Sequence, residues 1–158
     1  MYEIETSIEI NAPKERVWDV LTAFREWDEW NPIITRIRAT LSPNTPLSFV
    51  IAAGGRELKI KAEMLRVEPG RELRWRGPPS FLVGRIFRGE HYLTIEPAGP
   101  NKSRILHGER FGGLSLPLLW GKLRGDLEVA YSEMNRAIKA RAESPAAAVA
   151  GSSPSMRA

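Results

Sequence analysis

The chain has no cysteine among its 158 residues. Disulfides, thiolate nucleophiles and cysteine metal ligands are therefore excluded. Histidine is nearly as scarce, with two copies at His91 and His107, so imidazole chemistry has only these positions to use. No apolar run approaches the roughly 18–20 residues of a membrane-spanning helix. The opening Met1-Tyr2-Glu3-Ile4-Glu5 has neither the basic start nor the apolar stretch of a signal peptide, so the expectation is a cytoplasmic protein. Charge of one sign does not accumulate in runs. The formal net charge is +4, basic and acidic residues are interspersed, and no clustered footprint for nucleic acid is visible.

What remains is an ordinary globular composition, 42% hydrophobic and 27% charged, sufficient for the core of one domain. Residues 2–10 alternate: Ile4, Thr6, Ile8 and Ile10 point one way, Glu3, Glu5, Ser7 and Glu9 the other, a strand with one wet face. Asn11-Ala12-Pro13 starts a helix over 13–24, with Val17, Trp18, Leu21 and Phe24 as its apolar stripe. A second short helix covers 25–30 and ends before Pro32, which forces Asn31 out of the helical region. Trp27 and Trp30 share a face of it and mark the lid corner of a cavity. Asp28 and Glu29 are expected to face water.

From there to about residue 113 the pattern is β. Strands run over Ile33–Leu41, through Leu47, Phe49 and Ile51, through Leu58, Ile60, Ala62 and Met64, over 71–77, 86–97 and 103–112. Gly54-Gly55 closes a hairpin, and without a following Gly-Lys-Ser/Thr it is not a phosphate loop. Residues 78–85 read as a partly apolar loop, a gate or simply an anchored connection. Arg74, Arg76, Arg88, Arg104 and Arg110 fall in the outward register. A long helix spans 115–141, and its Gly121 and Gly125 suggest a supple start or a close backbone approach. Residues 1–142 thus form one domain, and 143–158, small and polar without periodicity, are expected to be a disordered tail.

One strand, two short helices, six strands and a long helix make a segregated α+β order. That order resembles the helix-grip superfamily. So do the opening Ile8-Glu9-Ile10-Asn11-Ala12-Pro13 with its helix, and the Phe24, Trp27, Trp30, Asn31, Pro32 pattern. The superfamily comprises START domains, birch-pollen-allergen relatives and polyketide cyclase/dehydrase-like (SRPBCC) proteins. The segment His107-Gly108-Glu109-Arg110-Phe111-Gly112-Gly113 is similar to the last branch. The resemblance implies a curved antiparallel sheet of about seven strands wrapped around the C-terminal helix, with a cavity between them. It also implies a small hydrophobic ligand, aromatic, polyketide-like or lipid-like. Cyclase or dehydratase chemistry, a non-catalytic lipid carrier or sensor, and a chaperone co-regulator-like interaction module are all hosted by this fold.

His91, His107 and Glu109 share the inward register of two neighbouring strands, roughly 5–8 Å apart. They form either an acid/base group for cyclisation or dehydration, or a buried polar cluster. Without a compact ligand spacing, no metal is expected there, and no cofactor motif exists. Trp30, Phe49, Met64, Trp75, Phe111, Trp120, Leu123 and Leu127 are the expected ligand-lining residues. Oligomeric state is not legible.

Overall fold

The computed structural model describes residues 2–53 and 55–145. In chain order these form β1 (Tyr2–Ile10), α1 (Lys14–Thr22), a 3-10 turn (Phe24–Glu26), α2 (Trp27–Trp30), β2 (Ile34–Ala39), β3 (Pro46–Ala53) and β4 (Arg56–Glu68). There follow β5 (Glu72–Gly77), α3 (Phe81–Ile86), β6 (Arg88–Gly99), β7 (Lys102–Gly112) and α4 (Leu116–Glu143). The strands make one antiparallel sheet in the order β1-β7-β6-β5-β4-β3-β2. This is the expected helix-grip arrangement, a curved seven-stranded sheet around a long C-terminal helix.

The corner at α2 is held by its polar residues. Asn31 Oδ1 accepts from the backbone N–H groups of Ile33 and Ile34 at 3.0 and 2.9 Å. Asp28 Oδ1 accepts from the Arg36 N–H at 2.6 Å, where Arg36 takes a left-handed φ of 52° inside a register shift of β2. Asp28 and Glu29 are exposed as expected, yet both are employed, because Glu29 also pairs with Arg141 at 2.9 Å. Trp27 is fully buried, with Phe24 packed edge-on against it at 5.4 Å. Gly55 has the positive φ that the hairpin turn requires, and Ala53 pairs with Arg56 around it. Its partner Gly54 lies outside the described residues. On the outer face Arg74 is more covered than expected, lying between Glu72 and Glu90 at 2.6 Å from each.

Helix α4 is fixed at one end. Arg16 donates to the Ala142 and Arg141 carbonyls at 3.3 and 3.2 Å, satisfying acceptors that a helix C-terminus leaves open. Arg141 reaches Glu26 at 2.8 Å, and Lys139 reaches the Glu9 carbonyl at 2.9 Å. Tyr131, Met134, Asn135, Ile138 and Ala142 are buried on this half. Between Pro117 and Ala130 no residue is buried. A methyl group added at Gly121 or Gly125 would have no neighbour within 4 Å, so the close backbone approach is ruled out and both face open space.

Two expectations about element bounds are corrected. The 78–85 loop contains α3, whose end is tied down by the Leu114 and Ser115 N–H groups donating to the Arg85 and Ile86 carbonyls at 3.0 and 3.1 Å. The last helix continues to Glu143, one residue into the expected tail. Residues 146–158 lie outside the described residues. Among the described residues no helix is long and apolar enough to cross a membrane.

Candidate functional site

The inner face of the sheet changes character along its strands. On β4, Met64 and Ala62 are buried, Ile60 is half-buried and Leu58 is exposed, although all four share one side by period two. On β3, Leu47 and Phe49 are buried and Ile51, paired with Leu58, is only half-buried. Helix α4 follows the same gradient, buried from Tyr131 onward and half-buried at Trp120, Leu123 and Leu127. The space between sheet and helix is therefore closed at one end and open at the other, with apolar walls. Trp30 packs 5.6 Å from Trp27 by ring centroid and against the buried core. The indole N–H groups of Trp27 and Trp30 and the Asn31 Nδ2 are buried without a protein acceptor.

Where the closed part begins, a polar cluster crosses the core. The antiparallel pairing of β6 with β7 sets His91 directly opposite Glu109 and Leu93 opposite His107, so the two histidines are diagonal neighbours on the inner face. His107 Nε2 and His91 Nε2 are 3.0 Å apart. His107 Nδ1 lies 2.8 Å from Asn135 Oδ1, and Asn135 Nδ2 donates to Thr6 Oγ1 at 2.9 Å. Thr6 in turn donates to the His107 carbonyl at 3.1 Å. At the other end His91 Nδ1 is 3.6 Å from Glu109 Oε2, and the Tyr131 hydroxyl donates to the same carboxylate oxygen. Trp75 stacks on His91 at 4.3 Å and Tyr131 on His107 at 4.4 Å.

The polarity of this chain of bonds assigns the protons. Because the Asn135 amide nitrogen donates to Thr6, its oxygen accepts from His107 Nδ1–H. The Nε2 of neutral His107 then carries the lone pair that receives His91 Nε2–H. His91 Nδ1 is left facing Glu109 Oε2 at 3.6 Å, beyond hydrogen-bond length. Burial, and next the neighbouring His91, hold the His107 pKa well below the ordinary imidazole range, against the favourable bonds to Asn135 and the Tyr131 backbone. Burial, then Glu109, push the Tyr131 phenol well above its usual value, so it stays a donor. The Glu109 end of the cluster is part-exposed while both histidines are buried.

The structure brings His91, His107 and Glu109 together. It divides the other expected residues. Phe49 meets Trp75 edge-on at 6.3 Å, Met64 sits opposite Trp75 in register, and Trp30 joins the same apolar cluster. Phe111, Trp120, Leu123 and Leu127 belong to a second cluster, in which Trp120 packs against Tyr2 at 4.8 Å and Phe111 at 5.7 Å. Tyr131, Asn135 and Thr6 were missed by sequence reasoning. Thr6 among inward isoleucines and Asn135 in an apolar helix stripe were the available signals. Gly89 was missed too: a side chain there would overlap the Glu109 carboxylate. Two concavities of about 400 and 270 Å³, one around Ser48, Phe49, Lys59 and Ile60 and the other around Arg88, Glu90 and Arg110, include no member of the cluster. Among the described residues, no group of His, Asp and Glu is arranged to hold a metal ion.

A family model described as "Polyketide cyclase / dehydrase and lipid transport" matches residues 1–143. No curated protein matches the chain. Solved structures share its fold. A Thermus thermophilus protein superposes with a TM-score of 0.72 at 16% identity, covering 96% of this chain and 100% of its own. A START superfamily protein from Mycobacterium smegmatis gives 0.70 at 17% identity, over 90% of this chain and 98% of its own. The Zhui aromatase/cyclase from Streptomyces gives 0.68 at 15% identity, over 90% and 93%.

Proposed function

The chain belongs to the polyketide cyclase/dehydrase and lipid-transport family, and from that premise we propose that it binds a small hydrophobic molecule, aromatic, polyketide-like or lipid-like, in the open part of the groove between sheet and α4. The observation that carries this reading is the gradient on β4, where Leu58 and Ile60 face inward yet stay uncovered while Ala62 and Met64 are sealed. Apolar side chains left uncovered on a concave face mark a place for an apolar guest. Trp30 and Trp120 sit in different clusters instead of closing the groove on each other. A cytoplasmic, cofactor-independent protein fits this role.

Titration with anilinonaphthalene sulfonate tests the reading. The wild type binds the probe saturably. Ile60→Trp, which fills the opening, weakens binding at least tenfold. Val129→Asp, on the outside of α4, leaves it unchanged. Loss of binding in Val129→Asp with none in Ile60→Trp overturns the proposal.

A second reading, catalysis, is favoured by the part-exposed Glu109 carboxylate, which receives the Tyr131 hydroxyl and faces His91 Nδ1. In a cyclisation or dehydration, Glu109 and His91 would take a proton from carbon next to a carbonyl or deliver one to a departing hydroxyl, with His107 setting the polarity of the chain. The groove would supply the folded pose of the substrate. His107→Ala separates the readings: lost turnover with retained probe binding supports catalysis, and unchanged turnover removes it.

A further inference from the structure

The groove opens beside an apolar surface that the molecule does not use for itself. Gly77, at the end of β5, lies against Lys61 and Ala62, so the chain that continues into α3 extends toward the Leu58 end of the groove. None of the six residues of α3 is buried. Phe81 and Leu82 are 76% and 74% exposed, and Val83 and Ile86 are exposed as well. Tied to α3 by two backbone hydrogen bonds, the segment entering α4 and its first turn present Leu114 and Leu118 at 79% and 90% exposure. Seclusion of apolar side chains is the main driving force of folding, and a contiguous exposed group of this kind marks an interaction surface.

The charges around it select the partner. From Pro78 to Gly89 and from Gly112 to Gly125 the chain carries Arg85, Arg88, Lys122 and Arg124 and not one carboxylate. These four charges equal the formal net charge of +4 of the whole chain. Among the described residues, Arg124 alone of the four is paired, with Glu128 at 2.8 Å, a turn further along α4. The shape of the surface selects further. Successive helical residues are about 100° apart, so the exposed Phe81, Leu82 and Val83 wrap around α3 instead of forming one flat side. A folded protein partner covers one side, whereas lipid surrounds such an element. The Gly84 and Phe87 N–H groups bond to the Ser80 and Val83 carbonyls, and the Arg85 and Ile86 carbonyls receive Leu114 and Ser115, which holds α3 in place beside the start of α4.

We propose that α3 and the start of α4 form a docking surface for an anionic lipid bilayer, with the apolar side chains inserted among the acyl chains and Arg85, Arg88 and Lys122 at the headgroups. This holds whether or not the groove carries a ligand.

Co-sedimentation of the full chain with vesicles tests it. The protein sediments with vesicles of an equal mixture of phosphatidylcholine and phosphatidylglycerol. With phosphatidylcholine alone the partition coefficient is at least tenfold lower, and added salt lowers it in the mixed vesicles. Leu82→Asp and Leu118→Asp each lower partition into mixed vesicles at least tenfold while keeping the wild-type thermal midpoint, since both side chains are exposed. Arg85→Glu with Lys122→Glu lowers it comparably. The proposal is overturned if the wild type ignores the mixed vesicles, if the aspartate variants partition as the wild type does, or if the wild type sediments as a dimer that Leu118→Asp converts to monomer, which assigns the surface to a second copy.

Discussion

Gly89 shows how closely single atoms define the polar cluster. A methyl group there would overlap Glu109 Oε1, and the carboxylate has little room to yield because Tyr131 and His91 hold its other oxygen. Gly89→Ala is therefore expected to cost about 1–3 kcal/mol in chemical denaturation. In a Glu109→Ala background most of that cost disappears, a coupling that a double-mutant cycle reads directly. His107 makes a second prediction. The unfolded chain takes up a proton at this imidazole near pH 6.5, and the folded chain does not, because burial and then His91 hold its pKa well below that value. Stability therefore rises with pH across this window. It is full above about pH 6.5 and declines as pH falls below it. His107→Gln should flatten the decline by about one proton, at most about 1.4 kcal/mol per pH unit, in denaturation curves followed from neutral pH downward.

At the scale of elements, α4 divides into a clamped half and a half that rides over an open groove. Arg16, Lys139 and Arg141 tie its last turns to α1, β1 and α2, while nothing from Pro117 to Ala130 is buried. Gly121 and Gly125 weaken that free half without serving a close contact, since both face open space. Gly121→Ala and Gly125→Ala are each expected to stabilise the fold by about 0.5–1 kcal/mol, visible as a raised thermal midpoint. The strands were legible because their alternation is strict: His91, His107 and Glu109 could be placed on one face from period two alone. Helix α3 was not. Gly77-Pro78-Pro79-Ser80 reads as a break, Gly84 lowers helix propensity, and the bonds that secure the element come from residues 114 and 115, far away in sequence.

Across the whole molecule, the same contrast between local and distant information explains the site. The order of elements and the tryptophan corner were enough to reach the helix-grip fold. Tyr131 and Asn135, one turn apart on α4, escaped because their role depends on how that helix is rotated above β1 and β7, which no local pattern states. The division of Trp75 and Phe49 from Phe111 and Trp120 into two clusters on either side of the histidines is likewise a consequence of sheet curvature. What unites these features is a concave face sealed at one end and open at the other, with a buried polar cluster at the boundary. The most direct test is methyl and imidazole NMR during titration with anilinonaphthalene sulfonate. A guest in the groove shifts Ile51, Leu58, Ile60, Leu123 and Leu127, with His91 responding at the floor. Shifts confined to Leu82, Val83 and Leu118, or to Val50 on the outer face, would contradict a binding site between sheet and helix.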